Sequence, residues 1–441
     1  MRSKILNILF WSIISAAFIG PGTITTASKA GATFQLDLLW ALGFSTVACF
    51  LLQEAAARVS IISGLNLGQA IAKSFDNSVA KVPVLVLVVG AIILGSAAYQ
   101  TGNILGAVVG LKLMFNLPAK LLVSIVGVLV IITLSLPSLQ VVARFMGFMV
   151  VFMGLVFLTT AVFVADSLPA ADLLHGLFIP SLPQEDGANL LILGLIGTTV
   201  VPYNLFLGSG VSDKTHTLKD MRFGLFVAVV LGCVISMAVL IVGTTIQGKF
   251  SFQALAQALS AQLGGWAVYL FGFGMFAAGF SSAITAPLAS SITAQSLFGG
   301  QNAKKWSYTS RNYRLIWIGV LFTGLAFGLA DVKPVPAIIL AQALNGLVLP
   351  LISIFLVFVI NNPTLMRHGT LNKHWNNLLM GAVVWVSLNL GLFNVLKSVY
   401  KALGWGTPST IYWWLIIVSA STLISVWVWV KIYKLRKYVP K

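Results

Sequence analysis

Apolar residues in this chain run in long unbroken blocks, not in the alternating or helical-stripe patterns of soluble strands and helices. Blocks long enough to cross a bilayer, about 20 residues each, fall near 6–33, 38–60, 82–112, 118–136, 141–165, 189–212, 221–246, 265–298, 312–330, 334–360, 376–399 and 408–434. Polar residues gather in the connections, so the pattern predicts an all-α polytopic membrane protein of about 12 transmembrane helices. Between the second and third blocks, Ser63-Gly64-Leu65-Asn66 reads as a helix stop followed by a cap, which predicts a short interfacial helix.

Two blocks are interrupted. Gly20-Pro21-Gly22-Thr23 breaks the first, and Val201-Pro202-Tyr203-Asn204 breaks the sixth. Proline has no backbone N–H and clashes with the preceding turn, so each break leaves amides and carbonyls unpaired. In hydrocarbon such backbone survives only where protein buries it or where it lines a polar site. An odd number of crossings inverts the second half, so blocks one to five and six to ten form two five-helix halves of opposite orientation, each opening on a broken helix. That arrangement is the expectation for a LeuT-type 5+5 inverted repeat, with the substrate near the bilayer midplane. Residues 1–165 form the first repeat, 189–360 the second, and 361–441 two additional helices and a basic tail. The connections, at most about 20 residues, are too short for an independent domain.

Composition agrees with the pattern: 58% of residues are hydrophobic and 8% charged, and mean hydropathy is +0.97. In a soluble chain a net charge of +17 would suggest nucleic acid, but here the basic residues lie in alternate connections and at both ends. Lys214, Lys219 and Arg222, then Lys304, Lys305, Arg311 and Arg314, then Arg367 and Lys373 mark one side, whereas the loop carrying Asp166, Asp172, Glu185 and Asp186 has no Lys or Arg. The expectation is a plasma (inner) membrane protein with both termini cytoplasmic, a lipid bilayer and a small solute or ion as partners, and no nucleic-acid partner or cofactor. Cys49 and Cys233 both lie in apolar runs, which argues against a disulfide framework or a thiolate metal site. The first block lacks a convincing signal-cleavage site and is read as a retained helix.

Several segments resemble the NRAMP family of divalent-metal transporters. They are Ala30-Gly31-Ala32 with Leu38-Leu39-Trp40, Leu52-Gln53 with Ala55-Ala56-Ala57-Arg58, Pro202 with Asn204-Leu205-Phe206-Leu207 and Ser209, Ala278 to Thr285, Gln342 with Leu349-Pro350, and Leu365-Met366 with Asn372. The order and spacing carry the resemblance, which implies a LeuT-type fold and proton-coupled uptake of manganese, iron or similar metals. In that family the first break reads Asp-Pro-Gly-Asn and the second Met-Pro-His. Here the carboxylate position is Gly20, the amide position Thr23, the thioether position Val201 and the imidazole position Tyr203, while a second family histidine falls on Gly208. Where the family carries Asp and Glu for proton movement, the alignment places Gln100 and Asn103. None of the usual metal ligands is present at these positions.

Chemistry argues the same way. Manganese and iron sites want carboxylate, imidazole or thioether ligands, and a dication in a low-dielectric pocket needs negative charge nearby. His175, His216, His368 and His374 all fall in predicted loops, and Glu54 is the one acidic residue well inside an apolar block. With Arg58 at i+4, Glu54 reads as half of a structural ion pair. What remains at the breaks is neutral: Thr23, Thr25, Thr26, Thr198, Thr199, Tyr203, Asn204, Gln342 and Asn345 can form a hydrogen-bonding cup, or can simply bond neighbouring helices. Lys29, six residues past the first break, has a stem long enough to snorkel to the outer interface.

The expected substrate site is Gly20, Pro21, Gly22, Thr23, Thr198, Val201, Pro202, Tyr203, Asn204 and Gln342, with Gln100, Asn103, Lys29 and Asn345 on the pathway. Three readings stand. One is an alternating-access transporter for a hydrated dication such as magnesium or for a small polar organic solute. Another is an ordinary proton-coupled manganese or iron importer with unrecognised ligands. The third is an intramembrane enzyme suggested by Leu207-Gly208-Ser209-Gly210, which lacks an intramembrane base.

Overall fold

The structure, a computed structural model, describes residues 19–437 except 77, 78, 80, 136–139, 167, 184, 186, 212–216, 300–304, 308–309, 367–369 and 403–409. The described chain is helical almost throughout. Its helices are α1 (Pro21–Phe34), α2 (Leu39–Ser63), α3 (Leu67–Ser74), α4 (Lys81–Met114), α5 (Ala119–Ser135), α6 (Gln140–Ala165), α7 (Ala170–Phe178), α8 (Ala188–Thr199), α9 (Pro202–Val211), α10 (Leu218–Gly243), α11 (Phe252–Leu263), α12 (Trp266–Phe298), α13 (Arg311–Leu329), α14 (Pro334–Ile360), α15 (His374–Ala402) and α16 (Thr410–Lys437).

Each predicted block is matched by helix, although residues 6–18 of the first lie outside the described residues. Among the described residues 10 spans are long and apolar enough to cross a membrane, and α5 is a shorter apolar helix. Large apolar side chains such as Leu94, Phe322 and Leu423 point outward, as expected where the solvent is lipid.

Local chemistry explains the ends. Gly64 closes α2 at φ 72, a left-handed conformation that disfavours any residue with a Cβ. The Asn66 side chain then accepts from Gln69 N at 2.9 Å, and Gln69 Oε1 accepts from Asn66 N at 3.1 Å. This reciprocal box starts α3, the short helix expected there. The short helices α7 and α11 were not expected. The second follows Ser251, whose hydroxyl accepts from Ala254 N at 3.1 Å. His175, expected in a loop, lies in α7, and His374 opens α15; His216 and His368 lie outside the described residues.

Small residues set the packing. The most extensive helix pair is α4 with α12, and there the backbones nearly touch: a Cβ at Gly110 would overlap the Gly272 carbonyl, and one at Gly279 would lie 2.7 Å from Asn103 O. The same device seats α1 on α10, where a Cβ at Gly31 would overlap the Leu240 carbonyl and one at Gly243 the Ser28 carbonyl. With no hydrophobic driving force between helices in lipid, close backbone approach recovers dispersion that larger residues would forfeit.

The expected Glu54–Arg58 pair is present at 3.1 Å, and a second arginine joins it. Arg222 Nε and Nη2 donate to Glu54 Oε1 at 2.9 and 2.8 Å, tying α10 to α2. Arg58 also donates to Thr370 O at 3.1 Å and Asn372 Oδ1 at 2.7 Å, which fastens the α14–α15 connection to the same end of the bundle.

The α1–α10 contact generates a test. Gly31→Ala is expected to destabilise the protein by about 1–3 kcal/mol through overpacking, read as a lower thermal midpoint in detergent. Gly90→Ala, where nothing lies within 4 Å, is the matched control; equal effects of the two would refute the close-approach account.

Candidate functional site

Both breaks present the start of a half-helix. Gly20 is extended at φ −104, ψ 177, and Pro21 opens α1 as its first residue without a side-chain cap. Across the bundle α8 ends at Thr199, Val200 turns out of helical geometry, and Pro202 opens α9. The first amides of a helix have no internal partner, and its N-terminal end carries partial positive charge. The C-terminal end of α8 contributes carbonyls of the opposite sign beside them.

The side chains at the breaks meet. Thr23 Oγ1 and Thr198 Oγ1 share a hydrogen bond at 2.8 Å, joining residues 175 apart in sequence. Gln342 on α14 covers the first break, since a Cβ at Gly22 would overlap its side-chain amide. Tyr203 stands edge-on to Tyr99 of α4, with ring centroids 5.6 Å apart and planes at 83°. Gly20 faces α12, where an added Cβ would lie 3.5 Å from Ser282 Oγ, an ordinary contact. Val201 is fully buried, and Thr25 Oγ1 donates back to Pro21 O at 2.6 Å.

On α1, α4, α9 and α14 several side-chain polar atoms are buried without a hydrogen-bond partner among the described residues. They include both side-chain polar atoms of Asn204, Gln342 Oε1, Asn345 Nδ2, Thr26 Oγ1 and Ser96 Oγ. Buried polar atoms are nearly always satisfied, so each needs an explanation in water, a ligand or another conformation. The side chains at the breaks are neutral but rich in hydrogen-bonding capacity.

One face of α4 forms the wall opposite the first break. A Cβ at Gly95 would overlap Asn345 Oδ1, one at Gly102 would lie 3.9 Å from Gln342 Nε2, and one at Gly106 would overlap Pro21. Tyr99 sits on this same face, in helical register with those glycines. Sequence reasoning missed Tyr99 and Ser282; the glycine register around Tyr99 was the signal available for the first. Gln100 and Asn103, expected on the pathway, turn to a different face. Gln100 Nε2 donates to Ala283 O of α12 at 2.9 Å and so joins α4 to α12, while Asn103 Nδ2 donates to Gln100 Oε1 at 3.4 Å within α4 itself. Lys29 is half-buried on α1.

Two other features are accounted for. Ser209 Oγ accepts from Leu67 N at 2.9 Å and donates to Phe206 O at 3.0 Å, so the serine holds the start of α3. Among the described residues no three of His, Cys, Asp and Glu come together to hold a metal ion.

Two half-helices crossing inside an all-helical bundle define a multi-pass membrane transporter of the LeuT-type inverted-repeat class. The sequence profile described as natural resistance-associated macrophage protein-like matches residues 12–397, and the chain belongs to this Nramp family. It is similar to the divalent metal cation transporter MntH of Staphylococcus saprophyticus, at 24% identity over 88% of this chain and 90% of that one. The metal transporter Nramp6 of Arabidopsis thaliana is 26% identical over 89% of this chain and 77% of that one. Among solved structures, the Eremococcus coleocola manganese transporter has a TM-score of 0.71 at 21% identity, covering 99% of this chain and 94% of that one. Mhp1, a nucleobase-cation-symport-1 transporter solved with bromovinylhydantoin bound, gives 0.57 at 15% identity, covering 99% and 94%. Both likenesses concern the fold. Members of the family are transporters, not enzymes.

The placement of the site is testable by restoring what the family carries. Gly20→Asp, alone or with Val201→Met, is expected to raise manganese affinity at least tenfold, about 1.4 kcal/mol, measured by calorimetry on purified protein. A Cβ at Gly20 meets only ordinary contact; unchanged manganese binding would count against a site at this break.

Proposed function

We propose that this Nramp-family protein is a secondary transporter whose cargo is held by neutral hydrogen-bonding groups. The cargo is a small polar organic solute, or a dication that keeps its water, such as magnesium. The observation that carries the reading is the Thr23–Thr198 hydroxyl pair at the crossing of the two breaks, with the unpartnered amide of Asn204 nearby in sequence on α9. Hydroxyls, amides and helix-end dipoles hold an organic donor–acceptor group or a hydrated ion. They do not repay the dehydration of manganese or iron, which calls for charged or soft ligands.

The cycle follows from the same groups. The bundle around α1 and the α8–α9 pair rocks against the scaffold of α4 and α12, exposing Gly20–Thr23 and Thr198–Asn204 to each side in turn. Gln342 closes over the first break, and Asn345 lines the route beside it. Proton coupling by the usual family route is absent from this proposal, because Gln100, Asn103 and Tyr203 do not titrate near neutrality. The alternation of positive connections supports a reading with both termini in the cytoplasm, in a plasma (inner) membrane.

A second reading has its own support. The relatives named above are divalent-metal transporters aligned over nearly nine-tenths of the chain, which favours an ordinary proton-coupled manganese or iron importer. Calorimetric titration with manganese and magnesium, run beside a thermal-shift screen of small organic acids and amino acids, separates the two. The neutral-cup reading expects no micromolar manganese binding, and stabilisation by magnesium or by one organic solute. Micromolar manganese binding would overturn it in favour of the importer.

A further inference from the structure

Away from the breaks, at the end of the bundle that carries the Glu54 ion pairs, a cavity of about 420 Å3 opens between α2, α10 and the segment leading into α15. Its size falls within the roughly 300–1,000 Å3 of small-ligand sites. The wall combines two chemistries. Phe50, Leu51, Ile62, Leu218 and Leu371 are apolar, whereas Arg58, Arg222 and Lys373 set three cations against the single carboxylate of Glu54.

The hydrogen bonds show which cations are committed. Arg58 is 5% exposed, and it donates to Glu54, Thr370 O and Asn372 Oδ1. Arg222 uses Nε and Nη2 on Glu54, yet its side chain is 50% exposed, so its remaining N–H groups face the cavity mouth. Lys373 is exposed on the rim, with Asn376 beside it half-buried. Glu54 is already neutralised by two arginines, and the excess positive charge therefore falls on Arg222 and Lys373.

An apolar track leads to that charge. Phe50 meets Phe226 edge-on at 6.0 Å, and Phe223, Phe226 and Val230 point outward along α10. A free anion would use only the charged end of this arrangement. A molecule with a phosphate head and hydrocarbon tails uses both.

We propose that this cavity binds an anionic glycerophospholipid, its phosphate on Arg222 and Lys373 and its acyl chains along Phe50, Phe223 and Phe226. The lipid bridges α2, α10 and the α14–α15 connection at the level of the Glu54 ion pairs.

The test uses the full chain in neutral detergent, titrated with phosphatidylglycerol or phosphatidylcholine of matched chains, with bound lipid read by native mass spectrometry. Phosphatidylglycerol is expected to be retained in preference. Lys373→Ala is expected to weaken it about fivefold, the contribution of one lysine beside an anionic lipid, and Lys373→Glu to abolish the preference. Lys373→Gln replaces the reversal if that variant fails to fold. Lys120→Glu, an equal charge change on α5 at the opposite end of the bundle, is expected to leave binding unchanged. Equal retention of the two lipids, unaltered binding in the Lys373 variants, or an equal loss from Lys120→Glu would overturn the site. Displacement of the lipid by inorganic phosphate alone would reassign the cavity to a free anion and overturn the lipid.

Discussion

An unpaired backbone amide or carbonyl costs several kcal/mol in hydrocarbon, and this chain places two proline interruptions, at Pro21 and Pro202, where that cost would be incurred. The rest of the structure is arranged so that neither break meets lipid. The scaffold pair α4 and α12 approaches closely enough, through Gly110, Gly272 and Gly279, to form a wall beside the first break. Gly106 receives Pro21 directly, and α14 lays Gln342 across Gly22. Glycine recurs at these contacts because a Cβ there would overlap the facing helix.

What the enclosure contains decides the chemistry. The positions where the family resemblance implies carboxylate, thioether and imidazole are occupied by Gly20, Val201 and Tyr203. Around them the cup supplies hydroxyls that bond one another and amides left with unused capacity. A dehydrated dication there would face partial charges only. On the proposed reading, an amide, a carboxylic acid or a hydrated ion is held there by hydroxyls and amides. Membership of a metal-transporter family and the neutral residues at these positions pull in opposite directions, and in the proposed function the local chemistry is given more weight on cargo than the shared fold.

Much of this was legible in the sequence. Closely spaced proline and glycine in the first apolar block, and proline in the sixth, marked the breaks and with them the repeat from local chemistry. The Asn66 cap and the Glu54–Arg58 pair were legible for the same reason, since each is an interaction within four residues. Rotation about a helix axis was not. Apolar residues surround the axis of α4 with no polar stripe, so nothing in the pattern indicated that Tyr99 would face the first break while Gln100 turned to α12. The bond from Arg222 to Glu54 spans 168 residues, and nothing local marks it.

The central claim is that the crossing of the two breaks is a neutral site without proton-coupled metal transport. The most direct measurement uses proteoliposomes loaded with a pH-sensitive dye, to which manganese is added under an imposed inward proton gradient. The account predicts no manganese uptake above protein-free vesicles and no manganese-dependent acidification of the lumen. Manganese entry accompanied by protons, saturable at micromolar concentration, would contradict it.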